Sequence, residues 1–173
     1  MKFIFLISLL IFLVKADFLP RKLASLNLTQ IRNNILNRHN KYRKLHQVSN
    51  LVRSADLETI AQAYSKQLAN SGVLQHSNNK YKGNYMGENL YMTTGSSVTG
   101  NDAVDLWYDE VKKYNFKKQG FSMETGHFTQ LVWKNSKSLG CGVACKKGCF
   151  VTCNYYPAGN YENQYTQNVF PKK

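Results

Sequence analysis

Proline and acidic residues are scarce in this chain of 173 residues. It has three prolines, and 10 aspartates and glutamates stand against 23 lysines and arginines, giving a formal net charge of +13. So little proline without a glycine repeat excludes a collagen-like chain. Aromatic residues make up 13% and charged residues 19%, a balance unlike that of disordered proteins. The length allows one domain, which can bury roughly two-thirds of its unfolded surface.

Only one stretch of the sequence is long and apolar, and it lies at the start. Lys2 precedes an apolar run over residues 3–14, and Val14-Lys15-Ala16 then offers the residues that a signal peptidase reads. The run has about twelve residues, whereas a membrane-spanning helix needs about twenty. We therefore predict a secretory signal at residues 1–16, a leader at 17–28, and one soluble extracellular domain over 29–173.

The excess of positive charge favours anionic partners outside the cell. A basic secreted protein is attracted to lipid headgroups, sulfated glycans or acidic wall polymers. The lysines occur as scattered pairs, and neither a dense basic run nor an RNA-binding signature is present, which argues against nucleic acid. Asn27 begins the single glycosylation sequon, Asn27-Leu28-Thr29, which secretion makes accessible to glycosylation.

Hydrophobic spacing predicts helices first and strands later. Thr29 precedes a helical pattern that extends to Leu45, and Ser54 or Asp56 opens a second that Gly72 ends. Asn101 is expected to cap a third helix. Residues 77–86 are polar and are predicted to form a loop. Three segments are predicted strands: 128–133, 139–145 and 149–155. This order indicates α+β layers rather than a parallel βαβ sheet.

All four cysteines lie within thirteen residues, at a spacing of four. In a secreted chain this even number implies disulfides, for which three pairings exist. Lys146-Lys147-Gly148 predicts a hairpin turn, which would place Cys145 opposite Cys149 and Cys141 opposite Cys153. Residues four apart in one strand are about 13 Å apart, too far to bond, so these nested pairs are favoured. The alternative, a zinc site, lacks the usual ribbon spacing.

Known hydrolase motifs are missing. The chain has no Gly-x-Ser-x-Gly elbow and no His-Glu-x-x-His helix. Ser77 follows His76, but adjacent residues rarely present their side chains to each other as a nucleophile and base must. We therefore expect no enzyme and no catalytic residues.

Four segments resemble one protein family and occur in that family's order. They are residues 39–43 (HNKYR), 87–90 (GENL), 126–136 (GHFTQLVWKNS) and 150–161 (FVTCNYYPAGNY). The chain resembles the CAP superfamily of cysteine-rich secretory proteins, insect antigen 5 and plant pathogenesis-related group 1 proteins. It is especially similar to the Golgi-associated plant-related branch and to secreted yeast relatives that bind sterols and fatty acids.

The resemblance implies a three-layer α-β-α sandwich around a short antiparallel sheet, and a Cys141–Cys153 bond. It also implies a central cleft formed by two histidines and two glutamates, which map to His76, Glu88, Glu110 and His127. Two imidazoles can bind a divalent cation such as zinc, with the carboxylates as a further ligand or as partners that orient the rings. We do not expect the protein to require a metal.

In sterol-binding relatives, the loop between the first histidine and the first glutamate is proposed to open over the ligand. Here that loop carries Tyr81, Tyr85 and Met86, together with two lysines. The expected function is therefore non-enzymatic binding of a sterol or fatty acid. The alternatives are a secreted defence or host-interaction effector that binds a protein or an anionic glycan, and a metal-dependent hydrolase.

Overall fold

The computed structural model describes residues 27–173, so the predicted signal peptide at 1–16 lies outside the described residues, as does most of the 17–28 leader. The helices in this part of the chain are α1 (Leu28–Leu45), α2 (Ala55–Ser71), α3 (Asn101–Asp109), α4 (Gly126–Leu131) and α5 (Tyr165–Asn168). The strands are β1 (Val52–Arg53), β2 (Lys80–Tyr81), β3 (Asn84–Tyr85), β4 (Gly87–Thr93), β5 (Ser138–Cys145) and β6 (Cys149–Tyr156). A short 3-10 turn, Glu110–Lys113, follows α3.

Side-chain caps fix the two long helices. The Asn27 side chain accepts a hydrogen bond from the Gln30 amide at 3.0 Å, so the cap of α1 lies two residues before the predicted cap, Thr29. α2 is capped by Ser54, as expected, and ends at Gly72, whose φ of 76° a residue without Cβ adopts freely.

The main sheet has the order β1-β5-β6-β4. β4, β5 and β6 pair antiparallel, and the two-residue β1 adds a parallel edge next to β5. α2 packs on one face of this sheet, whereas α1, α3 and α4 cover the other. The α+β class is confirmed, and the sheet is mixed at this one edge.

Glycine lets α2 approach the sheet closely. Gly140 and Gly142 lie on the face of β5 that α2 covers, and a Cβ atom at either position would overlap the helix backbone near Glu58 or Gln62. The opposite face of the sheet carries the larger apolar cluster, which includes Trp107, Phe128 and other fully buried side chains.

The prediction of a strand over residues 128–133 was wrong. These residues form most of α4 and its end, and Phe128, Leu131, Val132 and Trp133 are all fully buried. A short apolar run that is buried on every side has the same pattern in a helix and in a strand, so its spacing could not distinguish them.

The cysteines have the nested pairing. Cys141 bonds to Cys153 and Cys145 to Cys149 across the antiparallel β5–β6 hairpin, in which each pair occupies the same register position. The prediction of disulfide bonds is confirmed.

Candidate metal-binding cleft

Four separate elements supply the predicted cleft residues. His76 lies in the segment after α2, Glu88 is the second residue of β4, Glu110 begins the 3-10 turn after α3, and His127 is the second residue of α4. They form two histidine–glutamate pairs.

The first pair joins His76 to Glu88. The ring Nδ1 of His76 lies 2.8 Å from Glu88 Oε1, which also accepts the backbone N–H of Ser77 at 2.9 Å. The carboxylate is buried, with 8% side-chain exposure, whereas the imidazole is 64% exposed. The hydrogen bond to Glu88 raises the pKa of His76 above its usual value, and partial burial opposes this rise.

The second pair joins His127 to Glu110 and is less exposed. The His127 Nδ1 lies 2.6 Å from Glu110 Oε1, and Glu110 Oε2 accepts the Phe128 backbone N–H at 3.0 Å. The Trp107 ring is nearly parallel to the His127 ring, with centroids 6.2 Å apart. Asn89 donates a hydrogen bond to the His127 carbonyl at 3.1 Å. The Glu110 carboxylate orients the imidazole, and the Asn89 contact fixes the backbone that carries the ring.

Both histidines line one small cavity of about 110 Å³. Glu88 and Asn89 also line it. Glu110 does not line the cavity itself but is hydrogen-bonded to the ring of His127, which does. Its remaining wall is formed by Phe121, Met123, Gly126 and Asn160. The structure thus brings His76, Glu88 and His127 to one space, with Glu110 as a support.

The hydrogen bonds determine which atoms remain for a ligand. A carboxylate only accepts, so each Nδ1 must carry the proton, which leaves the lone pair of each imidazole on Nε2. Both oxygens of Glu110 and Oε1 of Glu88 are already hydrogen-bonded. Glu88 Oε2 is buried and has no hydrogen-bond partner within residues 27–173.

This donor set fits a divalent metal with two protein ligands. Neutral imidazole nitrogens, oriented by carboxylates on the opposite ring atom, are what zinc sites use. No cluster of three or more histidine, cysteine or acidic side chains suited to a metal exists among the described residues. The glutamates therefore fit the role of orienting partners better than that of ligands.

The sequence matches the family described as CAP, the cysteine-rich secretory protein family, over residues 36–155. The chain belongs to the CAP family. The human Golgi-associated plant pathogenesis-related protein 1 is 42% identical over 148 residues, which cover 83% of this chain and 95% of that protein. Protein PRY2 of Saccharomyces cerevisiae is 40% identical over 144 residues, covering 79% of this chain and 40% of the longer yeast protein.

One solved structure that is similar to this chain contains zinc. The crystal structure of NaASP2 with Zn²⁺ superposes with a TM-score of 0.66 at 27% identity, covering 83% of this chain and 86% of that one. The CAP fold predicted from the four motifs is therefore confirmed.

The segment between His76 and Glu88 is a small hairpin rather than an open loop. β2 and β3 pair antiparallel, and Lys82 and Gly83 turn the chain at positive φ. The Tyr81 hydroxyl donates to Asp56 at 2.9 Å, and its ring packs edge-on against Tyr156. Tyr81 thus ties the hairpin to the N-terminal end of α2.

The other two predicted lipid-contacting residues are differently placed. Tyr85 is 61% exposed, with the Lys80 ammonium 4.6 Å from its ring centroid, and Met86 is partly buried directly before β4. Asn27, the predicted glycosylation site, is exposed as the cap of α1. None of the helices among residues 27–173 has the length and apolarity that crossing a membrane requires.

Sequence reasoning missed several residues of the cleft. Phe121, Met123 and Asn160 form its wall, and Trp107 and Asn89 hold His127. Asn89 and Asn160 lie within the family motifs, so the motifs gave a signal for them. Phe121 and Met123 lie in a segment without periodicity, and only the fold brings them to the cleft.

Proposed function

We propose that this CAP protein is secreted and binds a small hydrophobic ligand, a sterol or fatty acid, without catalysing a reaction. The predicted signal peptide supports secretion, and the sequence resemblance to sterol-binding relatives supports the ligand class. The match to PRY2 of yeast is consistent with that resemblance.

The position of the β2–β3 hairpin carries the proposal. The Nδ1 atom of His76 lies 2.8 Å from Oε1 of Glu88, and the hairpin is formed by the residues between them in sequence. Its Tyr85 is exposed three residues before Glu88, with the Lys80 ammonium 4.6 Å from its ring centroid. Burying an apolar ligand against such a ring stabilises the complex by about 25 cal/mol per Å² of surface removed from water, and the phenol hydroxyl can meet a polar end.

Tyr81 sets the resting position of the hairpin. Its hydrogen bond to Asp56 and its contact with Tyr156 must break before the hairpin can lift away from α2. One exposed hydrogen bond contributes only about 1 kcal/mol. The cost of opening is this hydrogen bond plus the Tyr81–Tyr156 contact, and ligand burial must exceed both.

The cleft would hold a divalent cation through His76 and His127. A bound cation would supply positive charge and a coordination site for a polar ligand group. Glu88 and Glu110 keep each proton on Nδ1 and fix the ring orientation. The hairpin lies between His76 and Glu88 in sequence, and His76 is also a proposed ligand of the cation. The proposed lipid site and the proposed metal site are therefore adjacent.

The hydrogen bonds argue against hydrolysis through a covalent intermediate and leave the metal-dependent hydrolase as an alternative. Each imidazole is hydrogen-bonded to a carboxylate, and within residues 27–173 neither contacts a serine, threonine or cysteine nucleophile. The Ser77 hydroxyl instead accepts the Asn79 backbone N–H. A base without a nucleophile in reach does not perform covalent catalysis.

Retention of a labelled sterol tests the proposal. The secreted protein should retain the sterol saturably, and unlabelled sterol should compete. Tyr85→Ser should weaken retention about tenfold, because the exposed ring no longer covers the ligand. A tenfold loss corresponds to about 1.4 kcal/mol of binding free energy. Tyr161→Ser is the matched control, since Tyr161 is similarly exposed but lines a different cavity.

Two results would refute this function. One is a protein that retains neither sterol nor fatty acid saturably. The other is equal loss of retention in Tyr85→Ser and Tyr161→Ser, which would show that the hairpin has no particular part in binding.

A further inference from the structure

A second cavity, of about 830 Å³, opens beside the histidine–glutamate cleft. Phe121 and Asn160 line both spaces, so the two share a wall. A volume of this size falls within the range of small-molecule and cofactor sites, about 300–1,000 Å³. The 110 Å³ cleft alone would hold little more than a cation and a small ligand group.

Hydrogen bonds fix the Asn160 part of the wall that the cavities share. The Asn160 side chain accepts the Thr129 hydroxyl at 2.6 Å and donates to the Gly126 carbonyl at 2.9 Å. Behind the cavity, the buried Tyr165 ring packs edge-on against Trp133, with centroids 5.1 Å apart. These contacts form the cavity before any ligand enters, which reduces the entropic cost of binding.

Several hydrogen-bonding groups of the lining are free. Gln119 donates its amide N–H to the Val169 carbonyl, which leaves its side-chain oxygen to accept. Glu162, Asn163 and Thr166 are exposed, and none of their side chains hydrogen-bonds within residues 27–173. The cavity therefore offers hydrogen-bond donors and acceptors on amide and hydroxyl groups, and further acceptors on a carboxylate.

One aromatic ring stands open at the edge of this lining. Phe121 is 60% exposed and has its ring at the boundary with the cleft. Gly120, beside it, has no side chain, and no atom lies within 4 Å of the place where its Cβ would lie. An exposed ring beside amide, hydroxyl and carboxylate groups suits a ligand with one apolar face and many hydroxyls.

The charge of the cavity lining narrows the class of ligand further. Although the chain is strongly basic, no lysine or arginine is found among the described residues that line this cavity, and Glu162 is its one ionisable carboxylate. A sulfated or carboxylated glycan would meet a negative charge and no positive one. A purely apolar ligand would cover polar groups without satisfying them, which costs free energy.

We propose that this cavity binds a neutral oligosaccharide, with one sugar ring stacked on Phe121 and its hydroxyls hydrogen-bonded to Gln119, Asn163 and Thr166. This site adjoins the cleft of the sterol and metal function proposed above, with which it shares Phe121 and Asn160, but the saccharide proposal does not depend on that function. The lysine-rich outer surface and this cavity, whose described lining has no lysine or arginine, are thus distinct features of the molecule.

The test is calorimetric titration of the full secreted chain with neutral tetrasaccharides. The probes are chitotetraose, cellotetraose and mannotetraose, and a heparin tetrasaccharide is the acidic comparison. At least one neutral probe should bind saturably at one site, with no competition from heparin. Phe121→Ala should weaken that binding about fivefold to tenfold, from the loss of the stacking contact.

Asn163→Gly is the sharper variant. Asn163 has a φ of 61°, which glycine adopts without strain, so the change removes only the amide side chain. We expect weaker saccharide binding, with sterol retention and zinc titration unchanged, so failure of either proposal can be recognised separately. Tyr161→Ala is the matched control for Phe121→Ala, because this exposed ring lines another cavity.

The inference is overturned if none of the neutral probes binds saturably, or if the heparin fragment alone binds. It is equally overturned if both Phe121→Ala and Asn163→Gly bind a neutral probe as tightly as Tyr161→Ala does.

Discussion

His39 lies fully buried between α1 and the sheet, within a chain of hydrogen bonds that reaches the cleft. Its Nδ1 donates to the Ile35 carbonyl at 2.8 Å, and its Nε2 accepts the Tyr155 hydroxyl at 2.7 Å. Asn89 donates to the same hydroxyl and to the His127 carbonyl. Burial, assisted by the positive charge of Arg43, lowers the pKa of His39 to about 4.

This lowered pKa predicts a pH dependence of stability. The unfolded chain binds the proton below about pH 6.5, whereas the folded chain binds it only near pH 4. The free energy of unfolding should therefore fall by about 3 kcal/mol, from this group alone, as the pH falls through that window. Burial shifts the pKa of His46 in the same direction.

Urea unfolding at several pH values from 7.5 to 4.5 measures this effect. The His39→Gln variant keeps a donor and an acceptor but does not titrate, so its stability should fall less steeply between pH 6.5 and 4.5. Other titrating groups are common to both proteins and cancel in the comparison. Equal slopes for the two proteins would contradict the assignment.

Some of this residue-scale detail follows from the sequence and some does not. Both His39 and Arg43 fall on the apolar face of the predicted α1, and that position indicates buried, hydrogen-bonded groups. The partners of Arg43 could not be predicted, because they are backbone carbonyls of Ser49, Leu131, Trp133 and Ser136. Every residue has a carbonyl, so no sequence signal marks these four.

At the scale of elements, the contact between α2 and β5 depends on residues without side chains. Gly140 and Gly142 alternate along β5 on the face that α2 covers, so the helix backbone lies directly on the strand. These glycines weaken the β-propensity of their segment, and their spacing in the sequence does not show which element packs against them.

Gly140→Ala should therefore destabilise the fold. The new methyl group would overlap the backbone of Leu57 and Glu58, which forces α2 away from the sheet. We expect a loss of about 1–3 kcal/mol or more in the free energy of unfolding. Thermal or denaturant unfolding measures it.

Gly120→Ala is the matched control, because no atom lies within 4 Å of its would-be Cβ. Its stability should stay within about 0.5 kcal/mol of the parent protein. Similar losses in the free energy of unfolding for the two variants would show that Gly140 is not needed for the close approach of α2.

The elements that the sequence predicted well are those with caps and full periodicity. Ser54 and Gly72 bound α2 as expected, and the β5–β6 hairpin follows from its turn and cysteine register. β4 escaped prediction because its residues follow a polar segment without clear alternation. Residues 128–133 were assigned wrongly because burial on all sides removes the periodic signal.

At the scale of the whole molecule, the cleft exists because three layers meet at the β4 edge of the sheet. Residues 76, 88, 110 and 127 are far apart in sequence and come from four elements. Only the family motifs could place them together beforehand, since no local spacing relates them. Within residues 27–173 their hydrogen bonds leave Nε2 of each imidazole and the buried Glu88 Oε2 free in the cleft.

Zinc titration of the secreted protein tests this arrangement most directly. We expect one zinc ion per chain, lost in His76→Ala and in His127→Ala. In Glu88→Gln it should be weakened about 10–100-fold, because the orienting charge is removed while the ligands remain. Undiminished zinc binding in both histidine variants would contradict the account, as would a Glu88→Gln loss as complete as theirs.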